Sequence, residues 1–219
     1  MKKYLGILKN TRVFKGISEE EISAMFTCLD AQLKHYKKGE YILRQGDTIE
    51  VITVLVRGRA HIQTEDYWGN RSIVNTILEG EMFGEAYAAS EKSAITHDVV
   101  AVEDSSVIFF NIKKMLTVCS SACRFHATVI QNLFFAVSEK NRTLLHKLSH
   151  MSKRTTREKL ISYLSEQAKK KNSPHFFIPF NRQQLADFLS VDRSAMSNEL
   201  CKLRDEGLIE FKKNEFTLL

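Results

Sequence analysis

Proline is almost missing from this chain. Of its 219 residues 2 are proline, Pro174 and Pro179, and both fall in one short segment. Cysteine is scarce as well. The 4 present, Cys28, Cys119, Cys123 and Cys201, are scattered, which fits reduced thiols better than a disulfide framework. No apolar run approaches the roughly 18 residues of a membrane span. The opening MKKYLGILKNTRVFKG starts on paired lysines but has no apolar core long enough for a secretory signal. The expectation is a cytoplasmic protein with no membrane partner. Catalytic constellations are lacking too. His35, His61 and His97 stand alone, with no His-x-His pair, so a cupin-like metal centre finds no clustered ligands. There is no Ser/His/Asp signature and no phosphate-cradling P-loop. The chain is therefore expected to hold no metal and not to be an enzyme.

What the chain does have is a basic C-terminal third. Hydrophobic residues make up 43% and charged residues 26%, the balance of an ordinary globular protein, and the length has room for two modest domains. Residues 140–219 hold 16 Lys and Arg against 9 Asp and Glu, whereas residues 1–139 hold 16 against 17. The formal excess of +6 thus sits entirely in the last part of the chain. A basic domain joined to a neutral one is the electrostatic footprint of a phosphate-binding surface. Lys169, Lys170 and Lys171 read equally well as a solvated helix end.

Inside that basic third, NRQQLADFLSVDRSAMSNELCKLR (181–204) spells two short helices and a turn. Asn181 is an N-cap with Gln184 as its capping-box partner. Leu185, Ala186 and Leu189 share one face, and Ala186 is small where a second helix must cross closely. Ser190 and Val191 make the break. Asp192 caps the second helix, where a carboxylate suits the positive end. Met196, Leu200 and Leu203 give that helix an apolar stripe, while Arg193, Ser194, Ser197 and Asn198 occupy its other face. Such side chains bond base edges or phosphates, and the pattern is that of a recognition helix in the major groove. Arg182, ahead of the first helix, is assigned to a phosphate. GLIEFKKNEFTLL then reads as two strands around a Lys-Lys-Asn-Glu turn, a winged ending. Two ordinary core helices have the same periodicity; the charge distribution favours DNA.

From about residue 30 to 112 the pattern changes to short β-rich runs punctuated by Gly39, Gly46, Gly58, Gly69, Gly80 and Gly84, which suggests an antiparallel sandwich or barrel. Its clearest pieces are YILRQGD, VITVLVRGRAHIQ, SIVNTILEGEMFGE and VVAVEDSSVIFFN. Tyr67-Trp68-Gly69-Asn70 reads as a hairpin tip. Residues 113–147 contain neither Pro nor Gly and predict one long helix. Leu116, Cys119, Cys123, His126, Ile130, Leu133, Val137, Lys140 and Leu144 recur at three- and four-residue spacing, the seam of a parallel dimer. Phe134, Phe135 and Val129 are expected to pack on the β-domain instead. Such a dimer presents two recognition helices to a palindrome, about 34 Å apart.

A β-roll, a long dimer helix and a winged helix–turn–helix in this order resemble the Crp–Fnr family of bacterial transcription regulators. The likeness covers nearly the whole chain. The family's Gly-Glu-x-x-Gly-Glu motif stands here as Gly80, Glu81, Met82, Phe83, Gly84 and Glu85, and its helix–turn–helix pattern runs through residues 182–203. The resemblance implies an α+β chain with a sensor β-roll at 1–112, a dimerisation helix at 113–147 and a winged helix–turn–helix at 148–219. It also implies double-stranded DNA, a second copy of the chain and RNA polymerase as partners. Ser190 stands where Gly is usual in the turn, at modest cost. Ser194 and Asn198 replace the family's common Glu and Arg, so its familiar operators are not assumed.

The effector is where the resemblance stops. Cyclic-AMP-binding members carry an arginine, followed by Ser or Thr, about ten residues after the second glutamate, and it pairs the cyclic phosphate. Ungapped counting from Glu85 places Ile95 and Thr96 there, and AASEKSAITHDVV offers only Lys92 as a cation. Isoleucine cannot neutralise a buried phosphate, and lysine lacks the bidentate fork, so cyclic AMP is not expected to bind. Members with an iron–sulfur cluster hold it on closely spaced N-terminal cysteines; this chain has none before Cys28, so no cluster is expected. A small organic effector between roll and long helix remains open, with Met82, Phe83, Glu85, Tyr87, Ile95 and Thr96 as candidate lining. Cys119 and Cys123 are either packing residues or a thiol redox switch. The competing class is a β-roll for small-molecule or metal binding with only generic nucleic-acid affinity.

Overall fold

The computed structural model describes residues 1–65, 67–68, 71–90, 93–117 and 124–219. It divides into two compact units, Met1–Ser138 and Glu139–Leu219. The first opens on α1 (Leu5–Asn10) and α2 (Glu19–Cys28) and runs through β1 (Gln32–Tyr36), β2 (Tyr41–Leu43), β3 (Val51–Arg57), β4 (Ala60–Glu65), β5 (Arg71–Ile77) and β6 (Met82–Phe83). It continues with α3 (Glu85–Ala88), β7 (Asp98–Ala101), β8 (Ser105–Asn111), α4 (Ile112–Leu116) and the start of α5 (Arg124–Met151). Two four-stranded sheets result, in the orders β1-β8-β3-β6 and β2-β7-β4-β5, with antiparallel pairings. The β-roll expected from the glycine-punctuated runs is this pair of sheets.

β3 and β8 are nearly all apolar because both of their faces are covered, and side chains alternate across a strand. Leu55, Val107 and Phe109 enter the core between the sheets with Ala60 and Val99. Ile52, Val54, Ile108 and Phe110 point the other way, into a second core with Leu8, Ile22 and Met25 from the helices. Gly58 turns β3 into β4 at φ +90, and a Cβ there would lie 2.4 Å from Ser105 Oγ and 2.8 Å from the Asp104 carbonyl oxygen. Gly58→Ala is expected to destabilise the chain by about 2–4 kcal/mol, from left-handed strain plus overpacking. A fall in melting temperature of roughly 5–10 °C checks this; an unchanged one shows that the turn can relax. Tyr67 and Trp68 stand exposed at the β4–β5 tip with their rings edge to face, 5.9 Å apart. Gly69 and Asn70 of that expected tip lie outside the described residues.

The helical region departs from the single helix expected at 113–147. α4 ends at Thr117, whose backbone is extended, and α5 runs over Arg124–Met151. Thr117 is β-branched and so a weak helix former. Leu116 therefore lies on α4 rather than on the long helix, and Cys119 and Cys123 lie outside the described residues. The expected seam is corrected on α5 as well. Val129, Leu133 and Ala136 are buried in the first unit's core, with Phe125 packed against it and His126 at 1% exposure. His126 and Leu133 are thus turned inward. Phe134 and Phe135, expected to pack on the roll, are 70% and 67% exposed. Ile130, Val137 and Leu144 of the expected seam stay on the outer side, and Phe134, one position after Leu133 and about 100° further round the helix, takes the place expected for Leu133. Outside remain Phe134, Val137, Asn141, Leu144 and Leu148, with Ile130 half-buried at the same spacing.

The second unit holds the end of α5, then α6 (Thr156–Lys171), β9 (His175–Phe177), α7 (Arg182–Leu189), α8 (Arg193–Asp205), β10 (Ile209–Lys212) and β11 (Glu215–Leu218). Its sheet has the order β10-β11-β9, so the segment between the prolines supplies a third strand to the two-stranded wing. No described helix is long and apolar enough to cross a membrane.

Candidate nucleic-acid interface

Each helix end of the helix–turn–helix is set by its own side chains. Asn181 accepts the Gln184 amide at 2.9 Å, and the Gln184 side chain returns a bond to the Asn181 amide at 2.9 Å, closing the capping box. α7 stops at Ser190, which takes the left-handed conformation (φ 51, ψ 60) that glycine takes without penalty. Two residues on, Asp192 accepts the Ala195 amide at 2.7 Å and starts α8. Leu185, Ala186 and Leu189 from α7 and Met196, Leu200 and Leu203 from α8 meet Leu160, Tyr163, Leu164, Phe176 and Phe216 in one core. Burial of that stripe fixes the rotation of α8 about its axis.

The opposite face of α8 is consequently open. Arg193, Ser194 and Asn198 are exposed. Ser197 is half-buried, with its hydroxyl donating to the Arg193 carbonyl at 2.9 Å. Arg182 stands apart from this group. Its guanidinium lies over the rings of Phe211 and Phe216, 4.8 and 5.2 Å from their centroids, and burial lowers its pKa. The structure thus places Arg182 as a cation–π tie between α7 and the wing, not as a side chain free in solvent. The wing itself turns at Lys213, with φ 56.

In the roll, β6 pairs with Thr53 and Val54 of β3, and Gly84 leads into α3 at φ +83. A Cβ on Gly84 would come within 3.1 Å of Ile49 Cδ1, so only glycine fits without displacement. The six residues expected to line an effector cavity are divided between two cores and the surface. Met82 packs into the helix-side core, whereas Phe83 and Ile95 are buried between the sheets with Tyr87 against them. Alternation separates Met82 from Phe83, because neighbours on a strand point to opposite faces. Glu85 is half-buried and Thr96 exposed. The Tyr87 hydroxyl, Thr96 Oγ1 and His97 Nδ1 form a polar triad, with contacts of 2.5, 2.7 and 3.2 Å. Lys92 lies outside the described residues.

Both architectures have counterparts among known proteins. Residues 33–122 match the cyclic nucleotide-binding domain family and residues 158–219 the Crp-like helix-turn-helix domain family. The cyclic AMP receptor protein of Thermus thermophilus is 23% identical over 202 residues, covering 92% of this chain and 89% of that protein. The transcriptional activator protein FnrL of Cereibacter sphaeroides is 21% identical over 190 residues, 81% of this chain and 73% of that protein. The chain belongs to the Crp–Fnr family. The crystal structure of the Thermus thermophilus catabolite activator protein shares its fold, with a TM-score of 0.53 at 21% identity over 95% of this chain and 94% of that one. The first domain alone is also similar to human cGMP-dependent protein kinase 2, at 27% identity over 97 residues, 44% of this chain and 12% of the kinase.

Within this Crp–Fnr chain, several side chains that shape the helix–turn–helix have no motif in the sequence. Arg157 of α6 reaches Glu199 of α8 at 3.2 Å and Glu206 at 2.8 Å. Lys159 donates to the carbonyls of Leu189 and Ser190. His150, 3% exposed near the end of α5, sets Nε2 2.8 Å from Glu166 Oε2 and Nδ1 2.8 Å from Ser162 Oγ. His146 meets the same carboxylate at 3.2 Å, Lys170 pairs with it, and the rings of Tyr163 and Phe188 flank His150.

That buried cluster has a pH signature. Burial pushes His150 below the ordinary histidine value of 6.5, against the upward pull of Glu166. Burial also raises Glu166, but Lys170, His146 and His150 outweigh it and hold the carboxyl below 4.5. Both groups bind fewer protons folded than unfolded. Their stabilisation is therefore present above the unfolded pKa and drains as pH falls, through His150 first and Glu166 later. The second unit is expected to lose melting temperature between about pH 7 and about pH 5, and His150→Gln to flatten that slope. An unchanged slope in the variant places the titration elsewhere.

Proposed function

We propose that this protein is a homodimeric, sequence-specific transcription regulator that reads a palindrome in double-stranded DNA. The observation that carries this reading is the split of α8 into a buried stripe and an open face bearing Arg193, Ser194 and Asn198, in the basic part of the chain. The outward stripe of α5 supplies the second copy its seam, and a parallel pair sets two recognition helices about one helical turn of DNA apart. Selection from a random duplex pool at about physiological salt, where non-specific binding is weakened, tests it. Enrichment of a two-fold palindrome is expected. Failure to enrich one, both for the purified protein and with cell extract added, overturns the reading.

Its control input is a small organic effector other than cyclic AMP. The support is Ile95, 3% exposed and packed between the sheets at the position where cyclic-AMP-binding members present their phosphate-pairing arginine. A buried phosphate facing an isoleucine has no counter-charge. Isothermal titration with cyclic AMP is expected to show no heat of binding at micromolar concentrations; a micromolar isotherm overturns this.

A further inference from the structure

We infer that Lys159 is a positioning residue for DNA recognition, bracing the turn between α7 and α8 in a conformation that Ser190 holds less firmly than glycine. The inference rests on the DNA-binding reading above. Ser190 closes α7 at φ 51, ψ 60. Its amide bonds the Asp187 carbonyl at 3.2 Å and the Val191 amide bonds that of Ala186 at 3.0 Å, the two-bond ending of a helix that stops in a left-handed residue. The carbonyls of Leu189 and Ser190 still point off the helix end, where the partial charge is negative. The Lys159 ammonium sits against both, 3.2 Å from Leu189 O and 3.3 Å from Ser190 O. Residues with a Cβ resist the left-handed region and glycine does not. A cation bridging the carbonyls before and after that strained residue holds it in place from outside the motif.

The consequence for DNA lies two residues on. Asp192 caps α8 and Arg193 opens its exposed face, so the dihedral angles of Ser190 aim Arg193 and Ser194. Lys159 stands on the first turn of α6 beside Leu160, which is fully buried in the core that holds α8. Arg157, two residues earlier, grips Glu199 in the middle of α8 and Glu206 at its C-terminal end. α6 therefore holds both the turn that precedes the recognition helix and the middle and far end of that helix. If the turn samples other conformations, only the correctly set fraction binds, and apparent affinity falls by that fraction.

The test uses the full-length protein and measures affinity for a selected palindromic duplex and an unrelated one. Four proteins are compared: wild type, K159M, S190G and the double variant. K159M is expected to bind the palindrome about tenfold more weakly, with an unchanged salt slope. S190G alone should stay within about twofold of wild type, and S190G in the K159M background should restore binding to within about twofold. Amide exchange at Ser190, Val191 and Asp192 should quicken in K159M and slow again in the double variant. K159R, which keeps the cation, should resemble wild type, and K159Q replaces K159M if circular dichroism shows that variant unfolded. Wild-type affinity in K159M overturns the proposal. So does loss that glycine fails to restore with a salt slope lowered by about one, which makes Lys159 a phosphate contact. A wild type that selects no sequence overturns the DNA reading instead, and amide exchange then decides the brace alone: unchanged exchange in K159M sinks it too.

Discussion

Replacing Phe134 and Leu144 by aspartate is expected to convert the protein to a monomer and to weaken binding to a palindromic duplex by at least about a hundredfold. Phe134 is 70% exposed and Leu144 64% exposed, yet both fall on the same stripe of α5 as Val137 and Leu148. Burying a large apolar side chain contributes about 1.5–3 kcal/mol, and a two-fold seam uses each position twice. Placing a carboxylate there removes that gain and opposes two like charges across the axis. Because about 1.4 kcal/mol is tenfold in affinity, even part of this loss separates the copies at micromolar concentration. Asn141 sits midway along the stripe, where a single polar residue favours one register and one oligomeric state at some cost in stability. Sedimentation equilibrium reads the outcome directly. A variant that remains dimeric moves the seam off this face.

Arg193→Ala is expected to lose about 1–3 kcal/mol at the selected site and to relax selection at one base position. Arg193 is exposed, directly after the Asp192 cap, on the part of a recognition helix that meets base edges. A guanidinium presents two parallel donors to guanine O6 and N7, and alanine presents none. The discriminating measurement is a second selection with the variant. Loss of preference at one position makes Arg193 a base reader. A uniform loss on every sequence, with a shallower salt slope, makes it a phosphate contact.

Where the physics is local, the structure follows the sequence closely. Asn181 with Gln184, Ser190 between the helices, and Asp192 two residues on are each decided within one helical turn, and all three take the expected geometry. The Leu185–Leu189 and Met196–Leu203 stripes are equally local, because a helix has one buried side here and 3.6-residue periodicity shows which side it is. The candidate site was legible for the same reason: once the apolar stripe of α8 is known, Arg193, Ser194 and Asn198 can only face away. Ser197 on the same face is half-buried, with its hydroxyl turned back onto the Arg193 carbonyl.

α5 shows where that reasoning stops. Ile130, Val137 and Leu144 lie outward as the expected seam has them, but periodicity alone ranks His126 and Leu133 no lower than Phe134 as their companions on the stripe. Which of these turn inward depends on the surface the β-roll presents, built from Ile108 and Phe110 far away in the chain. Arg182 is a similar case. Its place in the sequence gives no sign of Phe211 and Phe216, which return through the wing to lie beneath its guanidinium. Met82 and Phe83 are neighbours that strand alternation sends into different cores.

The sequence by itself determined the caps of α7 and α8, the left-handed turn between them and the open face of α8, because each follows from interactions among residues a few positions apart. Only the tertiary structure decided which side of α5 is free for a second copy, what Arg182 touches, and that Lys159 holds the turn 31 residues along the chain. Those choices depend on groups distant in sequence meeting in space, and no local periodicity encodes such a meeting.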